Sequence, residues 1–301
     1  MISTLLSQDR YMKKAEDIVS SIGIPSQPKI LMEVNDEINN PNSDLQSVSD
    51  IISRDVATAA KLLKVINSVF FGLREKVDSI QRALSLMGLQ NFKKIILSSA
   101  LREAFGSKGP GSDKFWMHSM QAANIAARIA EKVGYDPVDQ AYLAGLFHDC
   151  GVPLLMKRFP GYRDLTDYAL SVAGADALTG KIKSVIGVED ERFSIHHCAM
   201  GRLVGKSWRL SDSVIEAIWY HHYINIDIHK DPRVKKLSAI LLLSDYLAAN
   251  LLFLAGGCPI DPVDEWVKLH KKVVDELEIE LDDIEDLKHD AEETLYNIDE
   301  H

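Results

Sequence analysis

Apolar residues recur at three- and four-residue steps along almost the whole chain, and strand-like alternation is almost absent. The pattern predicts helix after helix. Met1–Ser21 reads as a polar amphipathic lead-in helix, which Gly23-Ile-Pro-Ser-Gln-Pro28 ends with two prolines. Lys29–Asn39 resumes helical spacing through Ile30, Met32, Val34 and Ile38, and Asn39–Ser43 forms a loop. Asp44 caps a helix with Leu45, Val48, Ile51 and Ile52 on one face. Asp55 caps the next, which turns Ala59, Leu62, Leu63 and Ile66 inward and ends at Phe71-Gly72. Asp78–Met87 and Asn91–Phe105 are two further amphipathic helices separated by Gly88.

The run Gly106-Ser-Lys-Gly-Pro-Gly-Ser112 is the clearest linker. It divides an N-terminal helical half, residues 1–106, from a second half, residues 113–255, and an acidic helical tail follows over residues 261–301. In the second half Asp113–Val133 is a long helix bearing Trp116, His118, Ala122, Ile125 and Ile129. Asp136 as N-cap and Pro137 at the first helical position open a short helix over residues 137–149, and Gly151 closes it. Ala141 and Ala144, behind His148 on that helix, leave room for a neighbour. Tyr162–Ala173 and Ala177–Ile186 supply further helical material. Ile195–Trp208 offers Gly201 and Gly205 as a close-packing face, and Ser211–His222 is capped by Ser211 or Asp212.

Pro232–Leu254 is apolar on nearly every face, but Ser238, Ser244, Asp245 and Asn250 interrupt it. A membrane span needs roughly 20 nearly unbroken apolar residues, so this stretch is expected to be a buried core helix. A stripe of Trp266, Leu269, Val273 and Leu277 can dock the tail on the body.

Composition adds limits. With 301 residues, 46% apolar and 26% charged, the chain is ordinary globular material for one or two domains. The net charge of −10 is concentrated in residues 261–301, where 16 Asp/Glu face 4 Lys/Arg. That tail reads as a solvated face. An acidic chain without a basic stripe is a poor partner for a phosphate backbone, so no nucleic acid is expected. Met1–Leu6, followed at once by Gln8, Asp9 and Arg10, does not resemble a signal peptide. The three cysteines, Cys150, Cys198 and Cys258, are too few and scattered for a disulfide framework. An odd count fits a reducing, cytoplasmic setting.

The candidate chemistry lies between the linker and residue 250. His118, His148-Asp149, His197, His221-His222 and Asp245 each stand on, or at the end of, a predicted helix. Facing helices can aim such groups at one point. Mixed imidazole and carboxylate ligation suits iron, manganese or zinc better than calcium. Seven groups exceed the needs of one four-coordinate ion and suffice for two ions bridged by a carboxylate, with Asp149 as the natural bridge. Asp245, within the apolar run Ile240-Leu-Leu-Leu-Ser-Asp-Tyr-Leu-Ala-Ala, requires a partner, because an unpaired buried carboxylate costs several kcal/mol. A cation, an arginine or a histidine would serve. Cys150 and Cys198 adjoin candidate ligands, but helical neighbours point about 100° apart, so both are expected to be packing residues. His196, His229, His270, His289 and His301 are expected outside the set.

The order His, His-Asp, His, His-His, Asp resembles the HD superfamily of metal-dependent phosphohydrolases, in particular the seven-ligand pattern of its HD-GYP branch. Ile24-Pro-Ser-Gln-Pro, Ile52-Ser-Arg-Asp55, Leu62-Leu-Lys-Val-Ile-Asn-Ser68, Phe71-Gly72 and Ile80-Gln-Arg-Ala-Leu-Ser-Leu-Met-Gly88 resemble the HDOD domain, the HD-related output domain of bacterial signalling proteins. This likeness covers roughly residues 18–225. It implies an all-α fold, an HD-like multi-helix bundle with an additional N-terminal helical subdomain, and a non-catalytic relative that has lost part of the ligand set. The chain departs by keeping the whole set. It also departs from the active branch: Tyr223-Ile-Asn-Ile-Asp-Ile-His supplies no Gly-Tyr-Pro, Val152 replaces a lysine three residues after the HD aspartate, and Lys114 stands where some members have a glutamate.

Three readings follow from the resemblance and the residues. The first is a cytoplasmic signalling output module, binding a protein partner or a small phosphorylated ligand and retaining one or two divalent ions, iron or manganese before zinc, nickel or magnesium. Since no receiver or DNA-binding domain can be read on the chain, its input is expected from another protein or a ligand. The second is a metal-dependent phosphohydrolase acting on a nucleotide or other phosphoester, with Asp149 catalytic. There His118, His148, Asp149 and Asp245 would hold one ion, and His197, His221 and His222 the other. In the third, the histidines merely satisfy one another in a polar seam.

Overall fold

Caps and glycine breaks set where the helices of this chain begin and end. The computed structural model describes residues 2–38, 40–54, 56–67, 76–106, 112–162, 185–254 and 262–299, and helix is the only regular structure among them. The chain forms two compact units, one of Met1–Ile24 with Lys108–Ala291 and one of Pro25–Ser107 with Glu292–His301. Residues 1–106, read from the sequence as one half, are thus divided. Most of the acidic tail groups with the site-bearing unit.

After the lead-in helix α1 (Ile2–Ile22), which belongs to the larger unit, the smaller unit holds α2 (Lys29–Ile38), α3 (Leu45–Ser53), α4 (Val56–Ile66) and α5 (Ile80–Phe105). Asp44 caps α3 as expected, accepting from the Ser47 amide at 2.7 Å. Ser79 caps α5, which begins at Ile80, two residues past the expected start at Asp78. Gly88 adopts φ 74°, a conformation that favours glycine, and breaks α5 into two helical segments. Asn67 ties the end of α4 to the next segment, donating to the carbonyls of Leu63 and Val77 and accepting from the Val77 amide. Val48, Ile52, Leu62, Ile66, Leu84, Phe92 and Leu101 form the core. The expectations for Asp55, Phe71-Gly72 and most of the Gly106–Ser112 linker fall outside the described residues.

The larger unit contains α1, α6 (Ser112–Lys132), α7 (Val138–Phe147), α8 (Val152–Arg158), α9 (Val185–Phe193), α10 (His197–Ser207), α11 (Asp212–Tyr220), α12 (Pro232–Leu254), α13 (Val263–Leu269), α14 (Lys271–Leu277) and α15 (Leu281–Asp299) through Ala291. The helices expected over 162–173 and 177–186 lie almost wholly outside the described residues, as does Cys258. Helix α12 is apolar all round because α6, α7, α11 and α14 surround it. No described helix is long and apolar enough to cross a membrane.

Small residues set the spacing around α12. A Cβ on Gly145 of α7 would lie 2.6 Å from the Ala123 Cα of α6. Gly201 and Gly205 bring α10 onto Ile218 and Ile215 of α11, where added Cβ atoms would stand 2.9 and 3.0 Å from their side chains. Helix α7 begins one residue later than expected. Pro137 is extended (φ −82°, ψ 134°) and occupies the N-cap position without a side-chain acceptor, so Asp136 stands too far back to cap. In the tail Trp266, Val273 and Leu277 are buried and Leu269 is half-buried. Trp266 stacks on Tyr246 of α12, and Asp283 pairs with Lys132 of α6 at 2.7 Å.

Candidate metal centre

Two helix ends present the first imidazoles. His148 follows the last residue of α7 and His221 follows the last residue of α11, both still with helical dihedrals. The Nδ1 of His148 lies 2.7 Å from the Gly145 carbonyl, and that of His221 lies 2.8 Å from the Ile218 carbonyl. A carbonyl only accepts, so both Nδ1 atoms carry hydrogen and donate it. Each bond also satisfies one of the carbonyls that a helix end leaves unpaired. His197, the first residue of α10, is held by a buried carboxylate: its Nδ1 stands 2.9 Å from both oxygens of Glu189, and its amide donates to Glu189 Oε2 at 3.2 Å. Tyr162 donates its hydroxyl to the same carboxylate.

With their Nδ1 atoms committed, these rings turn Nε2 inward. His148 Nε2 meets His118 Nε2 of α6 at 3.2 Å, and His197 Nε2 meets His221 Nε2 at 3.2 Å and His222 Nε2 at 3.0 Å. Asp245 of α12 reaches His118 at 3.0 Å and His148 at 3.5 Å through Oδ1. Asp149 straddles the two groups, with Oδ2 at 3.2 Å from His148 and Oδ1 at 3.3 and 3.4 Å from His197 and His221. His148, His197 and His221 are all but sealed, whereas Asp149 and Asp245 keep 20% and 23% of their side chains exposed. Water therefore reaches the centre along its carboxylate edge.

The seven residues expected from the sequence thus share one interior point. Two nitrogen lone pairs 3.2 Å apart repel, so each such pair must hold a proton or a cation between or beside them. The C-termini of α7 and α11 both point at the centre, and helix C-termini favour positive charge. Burial alone would push the Asp149 and Asp245 carboxyls up, but the facing histidines outweigh it and hold both below the ordinary carboxylate range. Burial likewise disfavours charge on His118, His197 and His221. Asp245 outweighs it at His118, Cys198 and Glu189 outweigh it at His197, and Cys198 with Asp149 lifts His221 to about 10. Only His222 moves the other way, to about 3, through burial and the neighbouring His221 and His197. Five imidazoles and two carboxylates in this arrangement could hold a metal ion.

Two contributors were not anticipated. Glu189 sits in the charged run Glu189-Asp-Glu-Arg192, yet Val185, Ile186 and Phe193 lie three or four residues away on the same helical face. That apolar company was the available sign of burial. Cys198, expected as packing, places Sγ 3.5 Å from His197 Nε2 and 3.8 Å from His221 Nδ1. It follows His197 in the first turn of α10, so a 100° offset does not carry it away from groups gathered at the helix end. Cys150 does pack, with Sγ 4.0 Å from the Gly201 carbonyl. His196 rests against Tyr11 and Trp219, His229 meets Ser238, and His270 meets the Trp266 carbonyl, all outside the set. Val152 is buried at the start of α8 and Lys114 is exposed.

Because Glu189 fixes the ring of His197, Glu189→Gln is expected to weaken metal affinity by roughly 10- to 100-fold, the usual cost of losing a carboxylate behind a ligating histidine. Calorimetric titration of the metal-depleted variant measures this. An unchanged affinity would mean that His197 is not oriented by Glu189.

The HDOD domain family matches residues 24–224. An uncharacterized protein of Treponema pallidum (strain Nichols) is 24% identical over 259 residues, 85% of this chain and 48% of its own length. The cyclic di-GMP phosphodiesterase CdgJ of Vibrio cholerae serotype O1 is 24% identical over 157 residues, 50% of this chain and 36% of that protein. The chain thus spans about half the length, or less, of these curated relatives. An HDOD domain protein of unknown function from Geobacter sulfurreducens has a similar fold, with a TM-score of 0.62 at 24% identity over 95% of this chain and 98% of that one.

Proposed function

We propose that this chain, which belongs to the HDOD domain family, is a signal-transduction output module whose centre binds one or two divalent transition ions. One observation carries the reading. His148, His197 and His221 each have a built-in acceptor at Nδ1 and turn Nε2 toward another imidazole of the centre and toward Asp149. Ligating histidines are fixed in this way by a carbonyl or carboxylate behind the ring. A seam of histidines needing only one another would have no use for three such supports. His118, His148, Asp149 and Asp245 would hold one ion, and His197, His221 and His222 the other. The mixed donor set favours iron or manganese, then zinc or nickel. The input to the module is a signalling protein partner or a small phosphorylated ligand.

Elemental analysis of the chain purified without chelator tests the reading. It expects at least one equivalent of transition metal per chain, and less than about a tenth of an equivalent would leave only a polar seam.

A second reading, a metal-dependent phosphohydrolase, draws support from the division of Asp149 between both groups, the arrangement of a bridging carboxylate in two-metal sites. Two ions held there lower the pKa of water and stabilise charge on phosphoryl oxygens. The chain's own residues offer less to a phosphate. Val152, buried and apolar, stands where the resemblance expects a lysine. Manganese-dependent turnover of a phosphodiester, lost in Asp149→Ala, would favour this reading, and no turnover by metal-loaded protein favours the output module.

Metal uptake is expected to depend on pH. A raised imidazole pKa means that the metal-free protein holds a proton there below that value, and an entering ion must displace it. With His221 held up to about 10 and His118 and His197 also raised, affinity should rise as pH rises from neutrality toward about 10. The expected slope is roughly tenfold per pH unit for each proton displaced. Titrations in buffers of different ionisation enthalpy count those protons, and zero release would contradict the assignment.

A further inference from the structure

We propose that Cys198 is a sulfur ligand of the second half of the centre, so that the two halves take chemically different ions. The inference rests on the metal reading above and adds to it a donor type that the histidine and aspartate pattern does not contain.

His197, Cys198, His221 and His222 each offer one donor atom, and the four lie within 4.8 Å of one another. Three of their six separations approach the edges of a tetrahedral site. Zinc-to-nitrogen bonds of about 2.0–2.1 Å and zinc-to-sulfur bonds of about 2.3 Å give tetrahedral edges of about 3.3 Å between nitrogens and about 3.5 Å from nitrogen to sulfur. In the structure the nitrogen pairs stand 3.0 and 3.2 Å apart, and Cys198 Sγ stands 3.5 Å from His197 Nε2.

Cys198 is fully buried, as is Cys150, but only Cys198 faces the imidazoles. The other half, His118, His148, Asp149 and Asp245, contains two carboxylates and no sulfur. Thiolate selects thiophilic ions, whereas carboxylate-rich sites suit harder ones such as manganese. The second half therefore takes a zinc-class ion and the first a harder divalent ion, with the Asp149 carboxylate between them.

Cobalt(II) added to the metal-depleted full-length chain tests this, because a thiolate ligand gives a near-ultraviolet charge-transfer band that nitrogen and oxygen ligands do not. The band is expected in the wild type and in Cys150→Ser, and its complete loss is expected in Cys198→Ser. Cobalt bound with visible d–d absorption but without that band overturns the sulfur ligand and leaves the metal reading standing. No bound cobalt overturns both. Should Cys198→Ser fail to fold, X-ray absorption of the zinc-loaded wild type decides alone: a sulfur scatterer at about 2.3 Å supports the proposal, and a shell of only nitrogen and oxygen ends it.

Discussion

Asp149→Asn is expected to empty both halves of the centre at once, with a loss of affinity of roughly 100-fold or more at each, at or above the upper end of the loss seen when only a supporting carboxylate is removed. The reason is the division of its oxygens: Oδ2 faces His148, while Oδ1 faces His197 and His221. An amide keeps the shape but gives up the charge and turns a hydrogen-bond donor toward imidazole nitrogens that must be free to ligate. Asp245→Asn provides the contrast, since among the described residues it contacts His118 and His148. That variant should lose metal from the first half and keep it in the second. Metal per chain after exhaustive dialysis, measured on both variants beside the wild type, separates the two patterns. Wild-type metal content in Asp149→Asn would refute the bridging role.

Gly151→Ala should be the most damaging single methyl in the larger unit. Its Cβ would fall 2.0 Å from the backbone oxygen of His197, with the Gly201 amide at 2.9 Å. Neither neighbour is the yielding end of a flexible side chain, so the turn between α7 and α8 must withdraw from α10. Overpacking of a dense interior costs about 1–3 kcal/mol, and a backbone clash this close belongs at about 3 kcal/mol. Denaturant unfolding reads the cost as a lower midpoint at unchanged slope. The same withdrawal pulls at His197, so metal affinity should fall along with stability. A variant as stable as the wild type would show that the turn has room the structure does not display.

Much of this architecture was legible before any coordinates. The three- and four-residue spacing located most helices, and Pro232–Leu254 could be read as buried because it has no polar face to offer water. The candidate residues could be read because imidazole and carboxylate fall one after another on separate helices, a placement that helix packing turns into convergence. Glu189 was hidden for the opposite reason. Its neighbours Asp190, Glu191 and Arg192 make it look like part of a solvated turn, and the apolar Val185, Ile186 and Phe193 on its face of α9 are the weaker sign that it lies inside. Cys198 stands beside the imidazoles because the offset that separates neighbours along the side of a helix does not separate them at its end. Helix α1 groups with the larger unit through α8 and α10, helices far away in sequence, a choice that no local composition records.

His148 and His221 each grip a carbonyl one turn back on their own helix. An ion pulling on either ring therefore also clamps the closing turn of α7 or α11 against fraying. Filling the centre should slow hydrogen–deuterium exchange of the amides in those two turns, and stripping it should speed them up together. The ends of two helices that are separate in sequence would then loosen and tighten as one.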